Sequence, residues 1–381
     1  MIRFAFTTAL ILAGCSTPQI EKRACEAGAA YAGPELRAPL ANDAFPAAQL
    51  DLFQAVPARL ASALEVEFTS LVAEQTDATR AAVALWEPGT GSWSASYGDG
   101  PSDADAFWWA SVGKMATATV ILQLVEEDKL SLDQRLSVWL PDFPDAALIT
   151  VDQLLTHTSG VFSFNEDPAQ QEKTWPNSFD RLIETSARNG LDFCPGTNWH
   201  YSNTGYLMLS HIAEQVEGKS FAEIVDARIA QPLSLSSFAV IEADDAKSSM
   251  VPTGGPDAPD AAELANIAGA GAIRSTPEDM LVFLSAYLNA ELFSEQTRTL
   301  AFQALYPMFN DPMAYGRGVM TLDVPDPDRP TVWVGHVGGS PNGKAMAVYD
   351  VEREAYIAVV LNTQAPAEAI ANTLLKRLDA E

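Results

Sequence analysis

The chain has 381 residues, 48% hydrophobic and 19% charged, long enough to bury a large core and to hold two or three structural units. Its 23 Gly and 24 Pro are ordinary usage, which excludes a collagen-like or low-complexity chain. With 50 acidic residues against 23 basic ones, the formal charge of -27 repels phosphate backbones and excludes a nucleic-acid partner or a polybasic membrane patch.

At the N-terminus, Arg3 precedes an uncharged apolar run, Phe4 to Leu12, too short to cross about 30 Å of hydrocarbon as a helix. The run ends in Leu12-Ala13-Gly14-Cys15, which resembles the bacterial lipoprotein cleavage box. That resemblance implies a signal peptide over residues 1–14, a diacylglycerol on the Cys15 thiol, and a periplasmic protein held to the membrane by lipid alone. Ser16 after the lipid site, rather than Asp, implies the outer membrane. Residues 15–44 are rich in Ala, Pro and Glu and read as a flexible tether. Cys25 and Cys194 are then the remaining thiols, and an oxidising compartment allows either a disulfide or two free thiols.

The body reads as sheet, helices, sheet. Residues 80–86 and 92–97 flank Glu87-Pro88-Gly89-Thr90-Gly91, a hairpin signal. From about 111 to 290 the pattern is mostly helical. One predicted helix spans 204–217 and stops at Gly218; another starts at Ser275-Thr276-Pro277, with a hydroxyl cap and Pro in its first turn. The stretch 242–260 reads as a surface loop. Four strand-like runs follow at 315–322, 331–337, 344–350 and 355–362, an expected antiparallel meander, and a last helix covers 366–378. Two N-terminal strands alone would make a marginal sheet, so the strands belong together and the helices interrupt them.

Several chemistries drop out. His157, His200, His211 and His336 are spread too widely for a zinc helix, there is no Cys-x-x-Cys, and no metal or cofactor is expected. Gly269-Ala270-Gly271-Ala272-Ile273-Arg274 fails the dinucleotide fingerprint at its end, and no serine sits in Gly-x-Ser-x-Gly. One lysine remains unusual. Lys114 is the single charge in the twenty residues between Asp105 and Glu126, at the start of a run apolar nearly all round. Burial there would lower its pKa toward that of a useful base. Ser111 lies three residues earlier, on the same helical face and in a first turn whose free N–H groups favour developing negative charge. Ser-x-x-Lys is common by chance, yet this pair is unique among the chain's eight lysines.

Five segments then occur in order: Phe107-Trp108-Trp109-Ala110-Ser111-Val112-Gly113-Lys114, Leu130-Ser131-Leu132-Asp133, Leu154-Leu155-Thr156-His157-Thr158-Ser159-Gly160, Pro195 to Asn203, and Gly335-His336-Val337-Gly338-Gly339. Together they resemble the serine β-lactamase and penicillin-binding D,D-peptidase superfamily, in its class C β-lactamase-like branch. The resemblance covers about residues 50–378. It implies an α/β (α+β) fold, an antiparallel sheet flanked by helices with an inserted all-helical subdomain. The expected division is 45–130 with 285–381 for the catalytic subdomain and 131–284 for the helical one.

Carried over residue by residue, the family roles are Ser111 as nucleophile, Lys114 and Tyr201 as a coupled base, and Asn203, His336 and Gly338 as substrate-binding residues. The N–H groups of Ser111 and Gly339 form the oxyanion hole. His157 is expected to hold a turn, and Trp108 and Trp109 to pack. His336 departs from the class C lysine, which lowers the expectation of β-lactamase activity. The implied function is a serine hydrolase acting through an acyl-enzyme on D-alanyl-D-alanine-type peptides of the wall or a small molecule. An esterase or β-lactamase is the alternative, and a non-catalytic penicillin sensor or wall-binding protein the alternative of another class.

Overall fold

A computed structural model describes residues 25–98, 106–171, 178–243, 250–255, 258–309, 312–325 and 329–379. The expected signal peptide and lipid site, residues 1–14 and Cys15, lie outside these residues. The expected hairpin forms from β1 (Ala81–Glu87) and β2 (Gly91–Tyr97), paired from Ala81↔Tyr97 to Glu87↔Gly91. A Cβ on Gly91, at φ +110, would meet Gln54 O at 2.5 Å, so the turn requires glycine. Strands β3 (Phe107–Trp108), β4 (Ala239–Val240) and β5 (Ile273–Ser275) make a small separate sheet in the order β3-β5-β4.

The remaining strands are β6 (Tyr306–Pro307), β7 (Met313–Tyr315), β8 (Met320–Val324), β9 (Thr331–Ser340), β10 (Gly343–Asp350) and β11 (Ala355–Leu361). They join the hairpin in an antiparallel eight-stranded sheet, β2-β1-β11-β10-β9-β8-β7-β6. β1 pairs with β11, so the C-terminal meander completes what the N-terminal hairpin cannot stabilise alone. The run 315–322, read as one strand, is two. Gly318 at φ +78 turns the chain, and Gly316 N–H donates to Val319 O at 2.8 Å.

The helices are α1 (Ala58–Gln75), α2 (Lys114–Glu126), α3 (Val151–Leu155), α4 (Pro168–Gln171), α5 (Phe179–Asn189), α6 (Asn203–Glu217), α7 (Phe221–Val225), α8 (Gln231–Leu233), α9 (Ala261–Ala265), α10 (Pro277–Leu288), α11 (Glu295–Ala301) and α12 (Ala367–Leu378). The predicted signals hold at their ends: Gly218 closes α6 in the left-handed conformation, and Thr276 caps α10 with Pro277 first in line. α12 and α10 cover opposite faces of the sheet. Lys344 on β10 reaches Glu368 on α12 at 2.5 Å, whereas Asn289 just after α10 donates to the Tyr356 hydroxyl. Lys344 is paired with Leu361 and so faces away from Tyr356, which leaves β11 buried on both sides.

α2 is buried from Lys114 to Leu122 and packs on α6 and α7, while the turn before it packs on β9 and β10. Ser111 therefore stands where the helical block meets the sheet. The block ends earlier than the expected residue 284, because α10 packs on β1, β10 and β11 and belongs to the sheet layer. The tether also differs from expectation from Cys25 onward. Cys25 is bonded to Cys194 (Cα–Cα 5.3 Å), Ala32 N–H donates to Thr197 O at 2.8 Å, and Arg37 pairs with Asp323 at 2.7 Å. A disulfide at one end, with a backbone bond and an ion pair farther along, holds this stretch on the body.

Candidate active site

Ser111 was expected in the first turn of an α-helix. It lies instead in a 3-10 turn, Ala110–Gly113, immediately before α2. Two glycines let that turn press on the loop at 269–273. A Cβ on Gly271 would come 2.6 Å from Ala110 O, and one on Gly113 would come 2.8 Å from Ile273 Cγ1. The indoles of Trp108 and Trp109 donate to Gly271 O (2.7 Å) and Ser275 O (2.8 Å), so both tryptophans clamp the turn.

Lys114 is fully buried, with Nζ 3.1 Å from Ser111 Oγ, 2.7 Å from Asn203 Oδ1 and 2.5 Å from Ala270 O. Desolvation lowers its pKa well below that of an ordinary lysine. The amide oxygen and the backbone carbonyl can only accept. A neutral amine gives one hydrogen to each and turns its lone pair toward the Ser111 hydroxyl. That is the geometry of a base. Asn203 is fixed in turn, its Nδ2 donating to Asn165 Oδ1 at 2.7 Å and its backbone N–H to Ser163 Oγ at 2.9 Å. Its amide is thus engaged on both atoms, and Ser202 rather than Asn203 caps α6.

The Tyr201 ring centroid lies 4.9 Å from Lys114 Nζ. Burial raises the pKa of its phenol well above the ordinary value, with the Ser111 hydroxyl offsetting part of that rise. The hydroxyl is buried and makes no regular hydrogen bond. Of the expected base couple, Lys114 Nζ lies within hydrogen-bond distance of Ser111 Oγ, and the Tyr201 phenol, its pKa raised by burial, lies beside the same hydroxyl.

His336 does not face a substrate. Its ring is fully buried, with Nδ1 2.6 Å from Val337 O and Nε2 3.2 Å from the Tyr315 hydroxyl. The Tyr315 hydroxyl in turn lies 3.1 Å from that of Tyr206, which donates to Leu155 O at 2.9 Å. Burial, then the nearby Lys114, push the histidine pKa down to about 3. The reason is strand parity: even positions of β9 point inward. Gly338, the next such position, is likewise a packing site, since a Cβ there would lie 2.7 Å from Ser111 N and 2.8 Å from Trp109 O. Odd positions turn their backbone groups to the other edge, because Val351 N–H bonds Val332 O and sets even positions toward β10. β8 covers that edge only as far as Gly335, so among the described residues no strand pairs with the Gly339 N–H on that edge.

The backbone carbonyl of Ala270 and the side chain of Asn165 were not foreseen. Two glycines within three residues at 269–271 did signal a close backbone approach. Asn165 carries no such mark in the sequence.

A model of the beta-lactamase family matches residues 68–381. The chain belongs to that family. Penicillin-binding protein 4* of Bacillus subtilis (strain 168) is 25% identical over 287 residues, covering 69% of this chain and 62% of the relative. The putative penicillin-binding protein PbpX of the same organism is 29% identical over 200 residues, 50% of this chain and 49% of the relative. The chain thus spans about half to three fifths of the length of these curated relatives. Among solved structures, a D-stereospecific amidohydrolase from Streptomyces sp. superposes with a TM-score of 0.71 at 25% identity, covering 82% of this chain and 98% of that one. The mixed fold, an antiparallel sheet flanked by helices, is shared with it.

Proposed function

We propose that this beta-lactamase family member is a serine hydrolase that forms an acyl-enzyme on Ser111, with D-alanyl-type amides and peptides as its first substrate class. The observation that carries the reading is Lys114, whose two carbonyl partners leave its lone pair for Ser111. Ser111 Oγ attacks the acyl carbon while its proton passes to Lys114 Nζ. The tetrahedral oxyanion is held by the N–H groups of Ser111 and Gly339, the leaving group takes the proton as the bond breaks, and water hydrolyses the ester. The names of the penicillin-binding relatives and of the D-stereospecific amidohydrolase agree with this class.

One observation favours neutral amides and esters over β-lactams and free D-Ala carboxylates within that class. The buried, uncharged His336 supplies no cation for a carboxylate. The test uses two N-acyl-D-alanyl esters whose leaving groups differ only by a carboxylate or its amide. Wild type is expected to hydrolyse both, the neutral one faster, and Ser111→Ala neither, with the acyl mass mapped to Ser111. Acylation surviving in Ser111→Ala would overturn the assignment. The class C-like branch, on the strength of the five ordered segments, and attachment through a lipid on Cys15 to the periplasmic face of the outer membrane, on the strength of Leu12-Ala13-Gly14-Cys15, are part of the same reading. Intact-mass analysis of the membrane fraction should find an acylated Cys15 N-terminus; an unacylated one would refute the anchor.

A further inference from the structure

His157 carries two unfavourable features that its turn alone does not require. It is a non-glycine residue at φ +60, and its ring is buried. Nδ1 accepts the Ser202 N–H at 3.0 Å, so the neutral ring carries its proton on Nε2, which is buried without a hydrogen-bond partner among the described residues. A strained backbone and an orphaned donor at one residue point to a local function. The contacts show which. His200 N–H donates to His157 O at 3.0 Å and Ser202 N–H to its ring, so His157 grips the chain on both sides of Tyr201. Its ring lies against Tyr201 itself, centroids 4.2 Å apart and planes tilted by 34°.

We propose that His157 is the positioning residue for Tyr201, setting the phenol beside Ser111 and Lys114 and keeping water from that pair. This rests on the acyl-enzyme reading above. The groups facing the ring are Lys114 at the start of α2, His336 on β9, His200 and Tyr201 on the loop before α6, Tyr206 on α6 and Tyr315 on β7. Burial keeps the imidazole uncharged, and any charge on Lys114, His336 or His200 would act in the same direction. A neutral ring packs on a neutral phenol, and the pair together shields the amine.

His157→Asn separates the parts, because asparagine tolerates the left-handed backbone and can accept from Ser202 N–H but has no ring to stack. With a neutral activated ester, the acylation rate constant should fall about 10- to 100-fold with KM nearly unchanged. The acid limb of its pH profile should move to higher pH, since water reaching Lys114 returns that amine toward its ordinary pKa. A purely structural turn residue would lower the yield of active protein and leave the limb in place. If wild type never acylates Ser111, the hydrolase reading falls and takes this inference with it. If wild type acylates normally and His157→Asn keeps both rate and limb, this inference alone is overturned. Should the variant not fold, nitrogen NMR of the wild-type histidines decides: the expected His157 ring is protonated on Nε2, does not titrate near neutrality, and shifts in Tyr201→Phe. A ring that titrates, or that ignores Tyr201→Phe, overturns the proposal.

Discussion

The two sides of Ser111 are built by different means. The helical side supplies side-chain atoms: Lys114 Nζ, Asn203 Oδ1 and the Tyr201 phenol, each bonded or packed by a neighbour. The sheet side supplies backbone and empty space, with Gly338 lying against the nucleophile turn and Gly339 at an open strand edge. A residue on the first side is replaceable only by one with its chemistry. On the second side the requirement is volume. His336, a titratable group on that side, acts as a neutral link from β9 through Tyr315 and Tyr206 to Leu155, and so ties the sheet to the helical block.

The strongest test of this contrast is removal of the base. Lys114→Ala should slow acylation by roughly 10²–10⁴-fold, the worth of general-base help. In wild type the rate should rise with pH through the lowered pKa of Lys114, because the protonated amine has no lone pair for Ser111. An acid limb that persists unmoved in Lys114→Ala would assign the base elsewhere.

Next comes volume without chemistry. Gly338→Val should cost about 10²-fold in kcat, since its Cβ at 2.7 Å from Ser111 N must displace the turn, and misplacement of that kind is enough for such a loss. Gly339→Ala should cost little, because the atom it meets is Cδ of the flexible Lys344 at 3.2 Å. Equal effects at the two glycines would break the distinction. The smallest change in rate is expected from Cys25→Ser with Cys194→Ser, which frees the strap formed by residues 25–37. Closing 169 residues of chain is worth up to about 5 kcal/mol on the chain-entropy model, so thermal unfolding should fall clearly while the acylation rate holds. A large loss of rate would mean that the strap also positions the loop leading to Tyr201.

Much of this was legible beforehand, for reasons specific to each element. The β1–β2 hairpin, the caps of α6 and α10, and the last three strands announce themselves through local patterns that tertiary packing did not override. Lys114 stood out as a lone charge in an apolar run, and burial is what the structure gives it. The split of 315–322 was missed because Gly316-Arg317-Gly318 sits between residues that all suit a strand. The docked strap was missed because Ala- and Pro-rich sequence looks alike whether free or held by partners far along the chain.

Sequence alone therefore determined the local elements and the order of chemically capable residues, since both depend on neighbours within a few positions. It could not decide what each side chain faces. His336 occupied the place of a substrate-facing cation, yet strand parity and a partner twenty-one residues away turn it inward and leave it neutral. The third contact of Lys114 comes from a backbone carbonyl, which every residue possesses and no sequence pattern marks. The role of a side chain in this site follows from its partners, and those are brought together only when the sheet closes on the helical block.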